Sequence, residues 1–351
     1  MALLVNHSLG DPVLSITDLP RDHVYPDASL ALDIENTGLK LASVRAMIGQ
    51  AIFGQEEVID LSLVTLLAGG HLLLVGVPGL AKTRLVETLG TVLGLDERRV
   101  QCTPDLMPAD ILGSEVLEEG EHGRRAFRFI PGPVFAQLLM ADEINRASPR
   151  TQSALLQAMQ EGRVSVAGQY HPLPRPFHVL ATQNPLEQEG TYPLPEAQLD
   201  RFLLQVDVTY PERDAERLMM IATTGAASAT VRPVLTAAEL QAAQELVRRV
   251  PVGDSVVDGI LDLVRSGRPE TSDVAEVRRH VAWGPGPRAA QALMLASRAR
   301  ALMDGRYTPS RDDVVALAKP VLRHRMALNF SARAEGITLD AVIDRLCAPL
   351  A

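Results

Sequence analysis

Residues 72–76, LLLVG, run directly into VPGLAKT (77–83) and then into a stretch of helical periodicity. A short apolar strand that must turn through a Gly/Pro loop straight into a helix leaves few architectures open. It has to be covered on both faces, as in a mostly parallel sheet flanked by helices. The text that follows keeps this rhythm. Apolar runs at 100–102, 138–142 (LLMAD), 178–182 (HVLAT) and 203–208 read as strands, separated by helical stretches such as 82–93 and 150–160. After Tyr210-Pro211 the pattern changes, and 237–250, 255–266, 288–303, 311–322 and 339–346 are helical in period without convincing strands between them. The reading is an α/β domain over 36–225 followed by a smaller all-α domain over 226–351. The Ala/Thr-rich stretch 222–230 marks the boundary region. Residues 1–35, with six acids (Asp11, Asp18, Asp22, Asp27, Asp33, Glu35) against Arg21, read as a partly ordered N-terminal extension.

Composition serves mainly to exclude. With 46% hydrophobic and 22% charged residues the chain can bury large cores, and a formal charge of −9 argues against general affinity for nucleic acid or anionic membrane. Cys102 and Cys347 stand far apart with no CxxC, which disfavours a disulfide framework or a structural zinc and points to a reducing, cytoplasmic compartment. The start has no basic region that would announce a secretory signal. Residues 61–81 carry no formal charge, but Gly69-Gly70 and Pro78-Gly79 break them into a helix end, a strand and a loop. No membrane insertion is expected.

Four pieces carry chemistry. Gly76-Val77-Pro78-Gly79-Leu80-Ala81-Lys82-Thr83 resembles the Walker A loop GxxxxGK[ST], whose backbone N–H groups cradle phosphates at a helix N-terminus. Lys82 would reach the β/γ phosphates and the Thr83 hydroxyl would ligate Mg²⁺, while Ala81 stands where the pattern has its last glycine. Next, the strand LLMAD ends in Asp142-Glu143, at the edge where open α/β sheets bind ligands. There Asp142 would hold the Mg²⁺ water shell and Glu143 would polarise the attacking water, against the plainer reading of an acidic helix cap. HVLAT ends in Gln183-Asn184-Pro185, where Asn184 can orient that water or simply make a turn. Last, Arg201 in EAQLDRF serves either a surface salt bridge or a neighbouring subunit's γ-phosphate.

In this order the pieces resemble the AAA+ ATPases, and the strings GVPGLAKT, LLMADEINRA, ATQNP and LPEAQLDRF resemble the MoxR family within them, over about residues 38–350. The resemblance implies an AAA+ P-loop NTPase core with a parallel sheet over 36–225, an α-helical lid over 226–351, and ATP/ADP with Mg²⁺ as cofactors. Phe53-Gly54-Gln55 resembles the element beside the adenine. Gly76, Pro78, Gly79, Leu80, Ala81, Lys82, Thr83 and Arg84 resemble the phosphate loop and the start of its helix. Thr83 and Asp142 correspond to the metal ligands, Glu143 to the Walker B base, Asn184 to sensor 1, Arg201 to an arginine finger acting in trans, and Arg288 to sensor 2. Arg146 corresponds either to a second contact between subunits or to a solvated arginine. Residues 113–135, with Glu118, Glu119, Glu121, Arg124, Arg125 and Arg128, resemble the helix-2 insert, and 163–177 resembles the pre-sensor-1 hairpin.

The family further implies self-assembly into a ring, a hexamer by expectation, and a protein client remodelled or matured at the expense of ATP. A von Willebrand A-domain protein or a metalloenzyme complex is the implied partner. The alternative is a nucleic-acid motor or clamp loader, for which residues 286–351, with ten Lys/Arg against six Asp/Glu, could supply a basic patch. The mixed charge and few aromatics of the two insertions favour protein over nucleic acid.

Overall fold

The computed structural model describes residues 28–119, 125–187, 190–225 and 230–350. Asp11, Asp18, Asp22 and Asp27 of the extension, Glu121 and Arg124 of the first insertion, and 226–229 of the boundary stretch lie outside the described residues. The first element, α1 (Ala28–Gly49), starts inside the segment read as an extension. Its Leu30, Ile34, Leu41, Val44 and Ile48 recur at helical spacing and are buried, so this helix belongs to the core.

The α/β part continues with α2 (Glu56–Leu67), β1 (Leu72–Val75), α3 (Lys82–Val92), β2 (Glu97–Gln101), α4 (Pro108–Leu112), β3 (Gly113–Glu119), β4 (Arg125–Pro131) and β5 (Leu138–Asp142). Then come α5 (Pro149–Glu161), β6 (Arg163–Val166), β7 (Gln169–Pro172), β8 (His178–Gln183), α6 (Glu196–Leu199), β9 (Leu204–Asp207) and α7 (Arg213–Thr224). The helical part holds α8 (Ala237–Arg249), α9 (Asp254–Ser266), α10 (Ala275–His280), β10 (Val281–Trp283), α11 (Pro287–Met303), α12 (Arg311–Leu322), β11 (Ala327–Leu328), α13 (Phe330–Ala334) and α14 (Leu339–Cys347).

Five strands form one parallel sheet in the order β2-β5-β8-β1-β9. Alternate residues serve opposite faces, and both faces are buried. Leu72, Leu74, Leu138, Met140, Leu180, Leu204 and Val206 enter a core built with α1, α2, α3 and the helices α8, α9, α11, α12 and α14. Leu73, Leu139, Ala141, Val179 and Ala181 face a second core closed by Leu155, Leu156 and Met159 of α5 and by Phe202. Residues 113–119 and 125–131 pair as the antiparallel ribbon β3–β4, and 163–172 form the hairpin β6–β7 within the stretch that resembled one. The helical part also holds an antiparallel pair, β10–β11, that periodicity had not revealed. Runs of three and two residues between helices are too short to display a period. Among the described residues, no helix is long and apolar enough to cross a membrane. Both cysteines are free and buried.

Parallel register fixes the geography of the site. Gln101 pairs with Asp142, Ala141 with Ala181, and Val75 with Gln183, so the C-terminal ends of four strands share one edge of the sheet.

Candidate active site

The loop after β1 lies on that edge. Gly76 has no room for a side chain, since a Cβ would fall 2.6 Å from the Val208 carbonyl oxygen. The same segment approaches Phe53-Gly54-Gln55. Gly54 sits at φ +64 with a would-be Cβ 2.4 Å from Ala215 Cβ, and Gln55 Nε2 donates to Thr209 O at 2.8 Å. Residues 208–215 thus tie the element between α1 and α2 to the loop. Pro78 and Gly79 are exposed, Leu80 leans on the first core, and Thr83 and Arg84 are half-buried in the first turn of α3. Free N–H groups at that turn, with the helix dipole behind them, suit an anion. The Lys82 ammonium donates to Gly76 O and Val77 O. Burial lowers its pKa, opposed by the nearby carboxylates Asp142 and Glu143.

Ala81, where the loop pattern has a glycine, is left-handed at φ +56 and ψ +19. An L-side chain there costs roughly 1 kcal/mol. Ala81→Gly should therefore raise unfolding stability by about 1 kcal/mol, read as the midpoint of urea unfolding at constant slope; an unchanged or lower midpoint would contradict it.

On the neighbouring strand Asp142 is nearly buried. Its Oδ1 accepts from the Thr182 hydroxyl at 2.6 Å, and its Oδ2 accepts from Arg99 Nη2 at 2.6 Å. Glu143 takes a left-handed backbone, φ +54 and ψ +52, in which its N–H donates to Thr182 Oγ1 at 2.8 Å. A non-glycine residue held there stores strain of the order of 1–3 kcal/mol, as functional positions often do. Its carboxylate accepts from Gln101 Nε2 at 2.8 Å and from Arg146 at 3.3 Å, and Arg146 also faces Glu187 at 3.6 Å. Asn184, at the tip of β8, is buried; its Oδ1 accepts from Leu186 N at 3.1 Å and its Nδ2 donates to Glu187. Because β8 lies between β5 and β1, Asn184 emerges between the acidic pair and the phosphate loop. The oxygens of Thr83 and Asp142 are hard donors that fit Mg²⁺. Among the described residues no cluster of three or more His, Cys, Asp or Glu could hold a metal, but Mg²⁺ held together with phosphates needs only one or two protein oxygens.

Arg201 and Arg288 lie elsewhere. Arg201 precedes β9 and lines a cavity of about 270 Å³ together with Gly69, Gly70 and His71, which lead into β1. That is the N-terminal edge of the sheet, separated from the phosphate loop by the length of β1, about 13 Å at 3.3 Å per residue. The Arg201 guanidinium donates to Leu156 O on α5. Arg288, in the first turn of α11, lines the same cavity and faces Asp200 Oδ2 at 3.5 Å. One chain therefore brings Phe53, Gly54, the loop 76–84, Asp142, Glu143 and Asn184 to one edge, and Arg201 with Arg288 to the other.

Two histidines sit beside this second group, His71 lining the cavity and His178 bonded to Gly70 behind it. Val179 N donates to His71 Nδ1 at 3.0 Å, so His71 Nε2–H donates to Met159 O. His178 Nδ1–H donates to Gly70 O at 2.8 Å, leaving Nε2 to accept from Gln244. Both rings are neutral. Burial is the main cause, and it pushes His71 down to about 3 and His178 to about 4. With folded values below the unfolded 6.5, each contributes stability that is present above pH 6.5 and lost as pH falls toward 3–4, at up to about 1.4 kcal/mol per pH unit. Melting temperature should fall steeply between pH 6.5 and 5, and His178→Gln should flatten that slope.

Sequence reasoning missed Arg99, Gln101, Asp200 and Arg325. Arg99 and Gln101 alternate on β2 beside β5, and only the strand register could have pointed to them. Asp200 and Arg325 are 125 residues apart, with no local signal to connect them.

The sequence model of the ATPase family associated with various cellular activities (AAA) matches residues 71–204, and that of the AAA lid domain matches 275–346. The chain is 43% identical over 301 residues to the chaperone MoxR1 of Mycobacterium tuberculosis, covering 86% of this chain and 79% of that one. Its fold is similar to the crystal structure of a candidate ATPase from Cytophaga hutchinsonii, with TM-score 0.82, 36% identity, and 91% and 95% of the two chains covered. A full-length MCM homologue from Methanopyrus kandleri shares the fold alone, with TM-score 0.54, 19% identity, and 87% and 64% coverage.

Proposed function

Because the chain belongs to the MoxR family of AAA+ ATPases and hydrolyses ATP, we propose that it is a Mg²⁺-dependent remodelling or maturation chaperone for a protein client. In this reading its active site is completed by a second copy of the chain. The observation that carries it is the division of the polar machinery between opposite ends of one parallel sheet. Phe53 and Gly54 would take the adenine, and residues 76–84 would hold the phosphates, with Lys82 neutralising their β/γ oxygens. Thr83 and Asp142 would hold the metal, which would supply polarisation of the phosphates when bound. Glu143 accepts the proton of the attacking water, and Asn184 orients that water. Gln101 and Arg146 both bond Glu143 Oε2, which steadies the carboxylate and leaves Oε1 to accept from the water.

Arg201, and Arg288 beside it, then serve the γ-phosphate bound by the next chain. A patch that complements a different patch on an identical neighbour makes a head-to-tail contact, and closed repetition gives a ring, with a hexamer expected. Opening and closing of these joints through the ATP cycle supplies work on the client, of which a von Willebrand A-domain protein is the candidate. A nucleic-acid substrate is less well supported. On the β6–β7 hairpin the exposed Tyr170 ring already has one face covered by the Arg163 guanidinium, 4.0 Å from its centroid, which leaves a single face for a base.

The test is phosphate release at increasing protein concentration, with Mg²⁺ and with a chelator. Activity per chain should rise with assembly, need the metal, and not respond to DNA. A rate per chain that is flat down to fully monomeric protein overturns completion by a second copy. Lys82→Ala should abolish measurable ATP binding in calorimetric titration, since it deletes the cation facing the phosphates; unchanged affinity would remove the loop from the site.

A further inference from the structure

The two arginines at the N-terminal edge of the sheet have a third behind them. Arg325 follows α12, and its side chain is 3% exposed. All five of its N–H donors are used. Nε donates to Asp200 Oδ1 at 2.7 Å, Nη1 to Leu203 O at 3.0 Å and Val321 O at 2.7 Å, and Nη2 to Phe202 O at 2.6 Å and Asp200 O at 3.4 Å. Four of the five partners belong to residues 200–203, the segment that carries Arg201. The adjacent His324 adds a bond to Phe202 O at 3.0 Å. The second oxygen of the same carboxylate, Asp200 Oδ2, faces Arg288. Asp200 is thus a single anion gripped by two arginines of the helical part, immediately beside a third arginine on the α/β part.

We propose that Arg325 is a positioning residue, holding residues 200–203 and, through Asp200, Arg288, so that Arg201 and Arg288 are presented as one unit to the nucleotide of the neighbouring chain. The proposal rests on the reading that Arg201 acts in trans. A purely stabilising role would not need this chemistry. A buried ion pair is weak in stability terms, and apolar packing of equal volume usually does as well. What a guanidinium with five directed donors provides is position: it fixes the carbonyls of Asp200, Phe202 and Leu203 and one carboxylate in one geometry. Lysine keeps the charge but has neither the fork nor the number of donors.

Arg325→Lys is the first test, with Asp200→Asn as a second variant that keeps one acceptor for Arg325 and loses the charge facing Arg288. For each, ATP affinity, phosphate release, assembly mass and melting temperature are measured alone and in an equimolar mixture with Lys82→Ala. Arg325→Lys should keep ATP affinity within about twofold and lose turnover by tenfold or more. The mixture should recover activity, because the Arg325→Lys chain offers an intact nucleotide site and the Lys82→Ala chain an intact arginine face. Turnover within twofold of the unmodified protein overturns the proposal. So does a loss that Lys82→Ala cannot rescue when the Arg201→Ala/Lys82→Ala mixture does recover, since Arg325 would then matter only to the fold. If that reference mixture itself stays inactive, it is the trans reading of Arg201 that has failed, and the proposal falls with it. Should Arg325→Lys not fold, the same outcomes apply to Asp200→Asn.

Discussion

Glu143→Gln should bind ATP as tightly as the unmodified protein and release phosphate about 10²–10⁴ times more slowly, the range for loss of a general base. The neutral amide fills the same volume and can still bond to Gln101, which reaches Glu143 Oε2 at 2.8 Å from β2. The backbone at φ +54 is equally strained for either side chain, and the Thr182 hydroxyl still receives the residue's N–H. No bond that shapes the phosphate loop is removed; the basic oxygen is lost, and with it the charge that faces Arg146 and Lys82. Nucleotide affinity and steady-state phosphate release measured in parallel decide the matter. Turnover near the unmodified rate would remove Glu143 from the mechanism, and a large loss of affinity would show that its role is in binding.

Arg201→Ala should retain ATP binding and lose hydrolysis by up to about 10³–10⁵, the scale for an arginine that meets transition-state charge. Arg201 lines a cavity with Gly69, Gly70 and His71, at the start of β1, whereas the phosphate loop follows the end of β1. It cannot reach its own chain's phosphates without dismantling that edge. The discriminating experiment mixes Arg201→Ala with Lys82→Ala. Some joints then combine an intact loop with an intact arginine, and activity should partly return. No recovery in a mixture whose mass shows assembly would mean that Arg201 acts in cis or only braces α5 through Leu156.

The sheet and the loop that leads from β1 into α3 were legible in the sequence because their signals lie in contiguous strings. LLLVG-VPGLAKT and LLMADE each encode strand, turn and functional group within a dozen residues, so local periodicity and side-chain chemistry suffice. What stayed hidden depends on register and on long-range approach. Gln101 meets Glu143 because β2 pairs beside β5, and neither residue announces this. The expectation for Arg288 came from resemblance alone, and its position beside Asp200 and Arg201 could not be read from a helix start. Arg325 looked like one of several basic residues near the C-terminus, because the carboxylate that explains it is 125 residues away. The left-handed Ala81 and Glu143 are backbone facts that residue type argues against, and such positions escape propensity-based reading where function imposes them.

The first hydrophobic core also bears on mechanics. It runs without interruption from α1 and α2, through one face of the sheet, into α8, α9, α11, α12 and α14. Helices α1 and α2 pack directly on α8 and α11, so on this face of the sheet the boundary between the two domains is apolar, while the cavity at Asp200, Arg201 and Arg288 lies at its polar margin. Swinging the helical part away as a hinge would expose Leu63, Leu66, Leu293 and their neighbours, each at roughly 1.5–3 kcal/mol. Such a cost restricts internal motion to small sliding of packed helices. The two parts should consequently melt as a single cooperative body, and in the proposed reading work on a client comes from chains turning against one another, each behaving as a stiff lever.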